Sequence, residues 1–118
     1  MIIRTIKQED IKQIVDLELK FLGETIGEEL LSDSIKTPHL YFYVVEDINV
    51  IGYIGAYILA GQTEILNFVI DEKYQRQGLG QKLFDKILED SENNKSESVV
   101  LEVKVNNQKG IGFYEKNG

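Results

Sequence analysis

Apolar and polar positions along the chain follow two different periods, and the switches between them mark the elements. Residues 2–6 (IIRTI) are a short apolar run that predicts a strand. Over 9–22 (EDIKQIVDLELKFL) the period lengthens: Ile11, Ile14, Val15 and Leu22 share a helical stripe, and two acids occupy the first turn, where negative charge is favoured. Residues 28–36 (EELLSDSIK) predict a second, shorter helix through Leu30, Leu31 and Ile35, ending before Pro38. Two β-branched and aromatic runs, 40–47 (LYFYVVED) and 50–59 (VIGYIGAYIL), flank the turn DIN and predict a hairpin. AGQT (60–63) is a further turn, leading into a strand over 64–70 (EILNFVI).

The texture then changes. A polar loop, 71–77, precedes a helical stripe of Leu79, Leu83, Phe84, Ile87 and Leu88, which predicts a helix over 79–90. A solvated connection (89–98) leads to a strand over 99–105 (VVLEVKV), and 106–118 reads as a helix. The order β-α-α-β-β-β-α-β-α predicts a single α/β domain spanning 1–118, with a meander followed by a crossover. Strands 64–70 and 99–105 are joined through a helix and should therefore be parallel.

Composition narrows the chemistry. There is no cysteine, so thiolate metal sites, disulfides and cysteine nucleophiles are excluded. With a single histidine, His39, the Ser-His-Asp and multi-histidine zinc arrangements are excluded as well, and no metal is expected. His39 itself reads as an ordinary loop residue, and Tyr41, Tyr43, Tyr53 and Tyr57 as sheet packing. A net charge of −7 argues against nucleic acid as a partner and suits a cationic one, although it serves solubility equally well. The N-terminus lacks a signal-peptide pattern and no apolar run reaches membrane-spanning length, so the expected location is cytoplasmic, away from any membrane.

The candidate chemistry centres on YQRQGLGQKLFDKIL (74–88), where Arg76, Gly78 and Gly80 stand at the entry to a helix. Glycines at that spacing let the backbone turn its N–H groups toward an anion. A triphosphate loop would need Lys and then Ser or Thr after the last glycine, and Gln81 and Lys82 stand there instead. A dinucleotide fingerprint would need a small residue at Leu83; Glu102 lies at a distance suited to its ribose-binding acid, so that reading is weakened but open. A loop that merely enters a helix also stays open. The remaining reading is a diphosphate held by the N–H groups of Gln77, Gly78, Leu79, Gly80 and Gln81, with Arg76 adding charge at the rim.

DEKYQRQGLGQKLFDKIL (71–88) resembles the acetyl-CoA pyrophosphate loop of the GNAT superfamily of N-acetyltransferases. LNFVIDEKYQRQGLG and LEVKVNNQKGIGFYEKNG, with the spacing between them, are similar in particular to bacterial ribosomal-protein-alanine N-acetyltransferases. Residues 64–118 carry the resemblance, and 1–63 fit only its order of elements. No Pro-Trp pair precedes the second helix, a departure from the subgroup that bears on the peptide acceptor. The resemblance implies the GNAT (acyl-CoA N-acyltransferase) fold, a mixed, mostly antiparallel sheet whose parallel fourth and fifth strands splay to hold CoA. It implies an enzyme moving acetyl from acetyl-CoA, its co-substrate, to an amine by direct attack, with a protein N-terminus as the acceptor. A small-amine acetyltransferase on the same fold and a catalytically impaired CoA-binding module are the alternatives.

Acyl transfer to an amine needs a proton taken from the ammonium and one given to the leaving thiolate. Glu102 follows the apolar run Val99, Val100, Leu101, and burial there would raise its pKa; a strand glutamate is otherwise usually solvent-facing. The resemblance implies that Glu102 is the base and that Tyr114, in FYEKNG, is the proton donor. It also implies that Asn107 hydrogen-bonds the cofactor and that the backbone at Phe68, Val69 and Ile70 pairs with the pantetheine arm. GETIG (23–27) would shape the acceptor entrance. Relatives of this kind continue past the position of Gly118 with two more strands, so the domain is expected to be truncated at its C-terminus. An exposed strand edge would then favour a homodimer and weak catalysis.

Overall fold

The computed structural model describes residues 1–101. The strands β1 (Ile2–Thr5), β2 (Leu40–Asp47), β3 (Asn49–Leu59), β4 (Gln62–Ile70) and β5 (Ser98–Leu101) lie in one sheet in chain order. Neighbours are antiparallel from β1 to β4, and β5 is parallel to β4, as the crossover requires. Helices α1 (Ile11–Leu22) and α2 (Glu28–Asp33) pack on one face of the sheet and α3 (Leu79–Asn93) on the other. Strand 99–105 is seen from Ser98 to Leu101; its remainder and the helix expected over 106–118 lie outside the described residues.

The α1 face buries Ile11, Ile14, Leu17 and Leu22 against Phe42, Val44, Tyr53 and Val69. The α3 face buries Leu79, Leu83, Phe84 and Ile87 against Ile54, Ile65, Phe68 and Ile70. Gly55 lets the α1 layer close on the sheet. A Cβ there would stand 2.6 Å from Cε2 and Cζ of the buried Phe42 ring, too close for either to stay in place. Gly55→Ala is therefore expected to cost about 1–3 kcal/mol by overpacking, read as a lowered denaturant midpoint in urea.

Two helices end elsewhere than their patterns predict. The segment 28–36 is helical only to Asp33, where the buried Ser34 hydroxyl bonds Leu31 O (2.6 Å) and turns lead on toward Pro38. The α3 helix instead runs past residue 90 to Asn93, because polar residues taken for a solvated connection have partners on the sheet. Tyr43 donates to Asp90 (2.5 Å), and the Ser91 hydroxyl lies 2.6 Å from that of Thr63. Strand β4 also starts earlier than 64. Ala60 (φ 53) and Gly61 (φ 79) form the whole two-residue turn, both left-handed as a primed hairpin turn demands.

At the other edge, Arg4 grips Asp10 through Nη1 (2.8 Å) and Nη2 (3.0 Å) and reaches Glu46 through Nε (3.1 Å). Burial alone would raise the Asp10 pKa, but the bonds from Arg4 and from the Lys7 amide outweigh it and hold the carboxyl below its ordinary value. A depressed carboxylate pKa contributes stability above the unfolded value near 4, lost as pH falls through the folded one. Asp10→Asn should cost about 3 kcal/mol at neutral pH. Its deficit in melting temperature against the parent should shrink on acidification below about pH 4.

Candidate functional site

Strand β4 delivers the chain to the glycine loop. Its last residues, Phe68, Val69 and Ile70, are all buried, and the Asp71 amide bonds Ile51 O (2.8 Å), fixing where the strand lets go. The Asp71 carboxylate then accepts from Lys73 N (3.0 Å) and starts a single 3-10 turn, Glu72–Tyr74. Gln75 reaches back to Ile70 O (3.2 Å), closing the loop onto the strand end.

Arg76 (φ 69) and Gly78 (φ 76) both take left-handed backbone, which costs Arg76 strain and Gly78 none. A Cβ on Gly78 would meet nothing within 4 Å, so the glycine answers to the conformation and not to crowding. Gly78 caps α3 without a side chain, and the first helical bond is Lys82 N to Gly78 O (3.1 Å). The N–H groups of Leu79, Gly80 and Gln81 thus precede the ladder at the positive end of the helix. Arg76 lies exposed beside them, with no ion-pair partner among the described residues. An exposed cation, a left-handed loop and a row of helix N–H groups are the parts from which an anion cradle is built.

Opposite this face, strand β4 is broken by a bulge. Asn67 pairs with Gly55 and Ile65 with Ala56, leaving Leu66 as an extra residue. The extra residue turns Leu66 and Asn67 both toward α1, while Ile65 and Phe68 face α3. The described pairing of β4 with β5 stops at Ile65 and Leu101, beside the bulge.

Asn67 meets a group the hydrophobic pattern did not single out. The Glu18 carboxylate on α1 is fully buried and accepts hydrogen bonds from Tyr53 Oη, Asn67 Nδ2 and Thr25 Oγ1. Burial first, and then the charge of Glu18, push the Tyr53 phenol well above its usual pKa, so it stays a donor. Tyr53 is thus a polar anchor as well as the packing residue its strand pattern suggested. The signal for Glu18 lay in the sequence: it occupies the apolar stripe of α1 between Ile14 and Leu22.

Of the predicted site residues, Phe68, Val69, Ile70, Arg76, Gln77, Gly78, Leu79, Gly80 and Gln81 lie on one continuous segment from the end of β4 to the start of α3. Glu102, Asn107 and Tyr114 lie outside the described residues. Among the described residues no group of three or more His, Asp or Glu could hold a metal, and no helix is long and apolar enough to cross a membrane.

The sequence model of the acetyltransferase (GNAT) family matches residues 9–118. The chain belongs to the GNAT family. It is 28% identical over 118 residues to a candidate ribosomal protein bS18-alanine N-acetyltransferase of Bacillus subtilis (strain 168), covering 98% of this chain and 78% of that protein. It is 27% identical over 128 residues to the N-alpha-acetyltransferase of Saccharolobus solfataricus, covering 97% and 77%. The crystal structure of the ribosomal-protein-S18-alanine N-acetyltransferase from Escherichia coli superposes with a TM-score of 0.79 at 19% identity, over 99% of this chain and 76% of that one, which speaks to the fold. The protein is accordingly an acyltransferase enzyme of the GNAT acetyltransferase family, whose members use acetyl-CoA.

Proposed function

We propose that this GNAT enzyme transfers acetyl from acetyl-CoA to the N-terminal amine of a protein, by direct attack in a ternary complex. The observation that carries the donor side is the helix start, where the N–H groups of Leu79, Gly80 and Gln81 precede the ladder and the exposed Arg76 stands just before them in the chain. A diphosphate is the anion such an arrangement suits, and CoA carries one. The acceptor class rests on the relatives, one described as acting on a ribosomal protein alanine and one as an N-alpha-acetyltransferase.

In this reading the buried strand end Phe68–Ile70 lies along the pantetheine arm, Asn107 bonds the cofactor, and Glu102 takes the proton of the attacking ammonium. The amine nitrogen forms the new C–N bond as the C–S bond breaks. Tyr114 then gives its proton to the departing thiolate. The test is incubation with acetyl-CoA and a tetrapeptide bearing both a free N-terminal alanine and an internal lysine, with fragmentation mass spectrometry locating the acetyl group. Label on the α-amine is the expected result. Turnover of spermidine or another small amine with none of the peptide would overturn the protein acceptor. No heat stabilisation by acetyl-CoA would overturn the donor.

A further inference from the structure

The Glu18 network joins two places that the fold otherwise keeps apart. Its first is the loop 23–27 between α1 and α2, bracketed by Gly23 (φ 79) and Gly27 (φ 95), both in left-handed backbone. Thr25 in that loop donates to Glu18 Oε1 (2.5 Å) and accepts from the Gly27 amide (3.0 Å), so one hydroxyl sets the loop's conformation and ties it to α1. The second place is the β4 bulge. Asn67 donates to Glu18 Oε2 and accepts from the Phe68 amide through Oδ1 (3.2 Å), at the first residue of the strand end described above. Tyr53, paired with Val69 across the sheet, donates to the same Oε2.

A fully buried carboxylate is costly, and among the described residues no cation pairs with this one. A leucine at that position would pack the α1 face without such a cost. What the carboxylate adds is direction: each oxygen fixes donors from a different element, which apolar packing cannot do.

We infer that Glu18 is a positioning residue, holding the 23–27 loop in register with the β4 bulge so that the amine acceptor meets the thioester at a fixed height. The inference rests on the acetyl-transfer reading above, in which the loop 23–27 shapes the acceptor entrance. Among the described residues the loop supplies the one exposed partner of the network: Tyr53 and Asn67 are buried, whereas Thr25 lies at the surface. Changes at Thr25 therefore reach the acceptor side without disturbing the anion cradle on the far side of the sheet.

Glu18→Ala would leave three donors without their acceptor and is expected to unfold the domain, so the test is built on Thr25. Thr25→Val keeps the shape and removes the hydroxyl; Thr25→Ser restores it. For the N-terminal-alanine tetrapeptide, Thr25→Val should raise KM about tenfold, the worth of one hydrogen bond to a charged group. The KM for acetyl-CoA should rise less than that for the peptide, because the cradle at the start of α3 is untouched, and Thr25→Ser should recover the parent values. A purely structural role would lower the active fraction, and so kcat, with both KM values unchanged. Amide hydrogen exchange gives a readout free of turnover: Thr25→Val should speed exchange in residues 23–27 and in 66–70 together. Faster exchange confined to 23–27, or an unchanged peptide KM, overturns the linkage. Failure of acetyl-CoA to stabilise the parent protein against heat overturns the acetyl-transfer reading instead, and the exchange result still decides whether the loop and the bulge are coupled.

Discussion

Gly80→Asp should abolish heat stabilisation by acetyl-CoA. Gly80 is the second residue of α3, buried, and its N–H precedes the helical ladder. An aspartate there sets a fixed negative charge among the N–H groups proposed to hold the diphosphate, and its side chain occupies the approach. A ligand at a hundred times its Kd stabilises by about 2.7 kcal/mol, and all of that should vanish. The unliganded protein need not suffer through electrostatics, because an acid in the first turn favours the helix dipole. Gly80→Ala adds the Cβ without the charge and separates bulk from repulsion. Arg76→Ala should weaken binding more mildly, with a deficit that closes as salt screens the exposed guanidinium. A folded Gly80→Asp protein that acetyl-CoA stabilises like the parent would sink the cradle assignment.

The second large effect belongs to the residue immediately after Leu101. Glu102→Gln should lower kcat/KM by roughly 10²–10⁴-fold, the range for losing a general base, while acetyl-CoA stabilisation persists. Without the base, the rate should track the fraction of amine already deprotonated. An N-terminal amine titrates near 8 and a lysine near 10.4, so the pH at which the variant recovers reads out the acceptor class. Recovery through about pH 8 supports an α-amine. An equal loss at every pH would remove Glu102 from the proton path.

The fold was legible wherever one residue type served one purpose. The stripe Leu79, Leu83, Phe84, Ile87 marked α3, and the strand–helix–strand order dictated the parallel pair. Legibility failed where polar side chains had tertiary partners. Asp90 and Ser91 look like linker residues until Tyr43 and Thr63 stand opposite them, and Glu18, although its position on the apolar stripe of α1 marks it for burial, has partners that only the folded chain reveals. The bulge at Leu66 was hidden for a different reason. EILNFVI reads equally well as an uninterrupted strand, and only pairing with β3 reveals the extra residue. For the candidate site, the left-handed loop and the start of α3 were visible because glycine spacing is a local signal. The loop-to-bulge network was not, because its members lie far apart in sequence: Glu18 and Asn67 are separated by 49 positions.

The strand order has a consequence for how the chain reaches this state. Each described strand lies beside the one synthesised just before it, so a ribosome could hand the sheet out edge first, every new strand finding its template already made. Hairpin closure between β2, β3 and β4 asks for short loops only, which favours speed. The exception is β5, which cannot dock until the whole of α3 has emerged and crossed the sheet. Translation would therefore assemble a meander first and complete the anion cradle with the emergence of α3. A pause that leaves residues 1–78 outside the exit tunnel and α3 still within it should then yield nascent chains with a protease-resistant sheet and no affinity for acetyl-CoA.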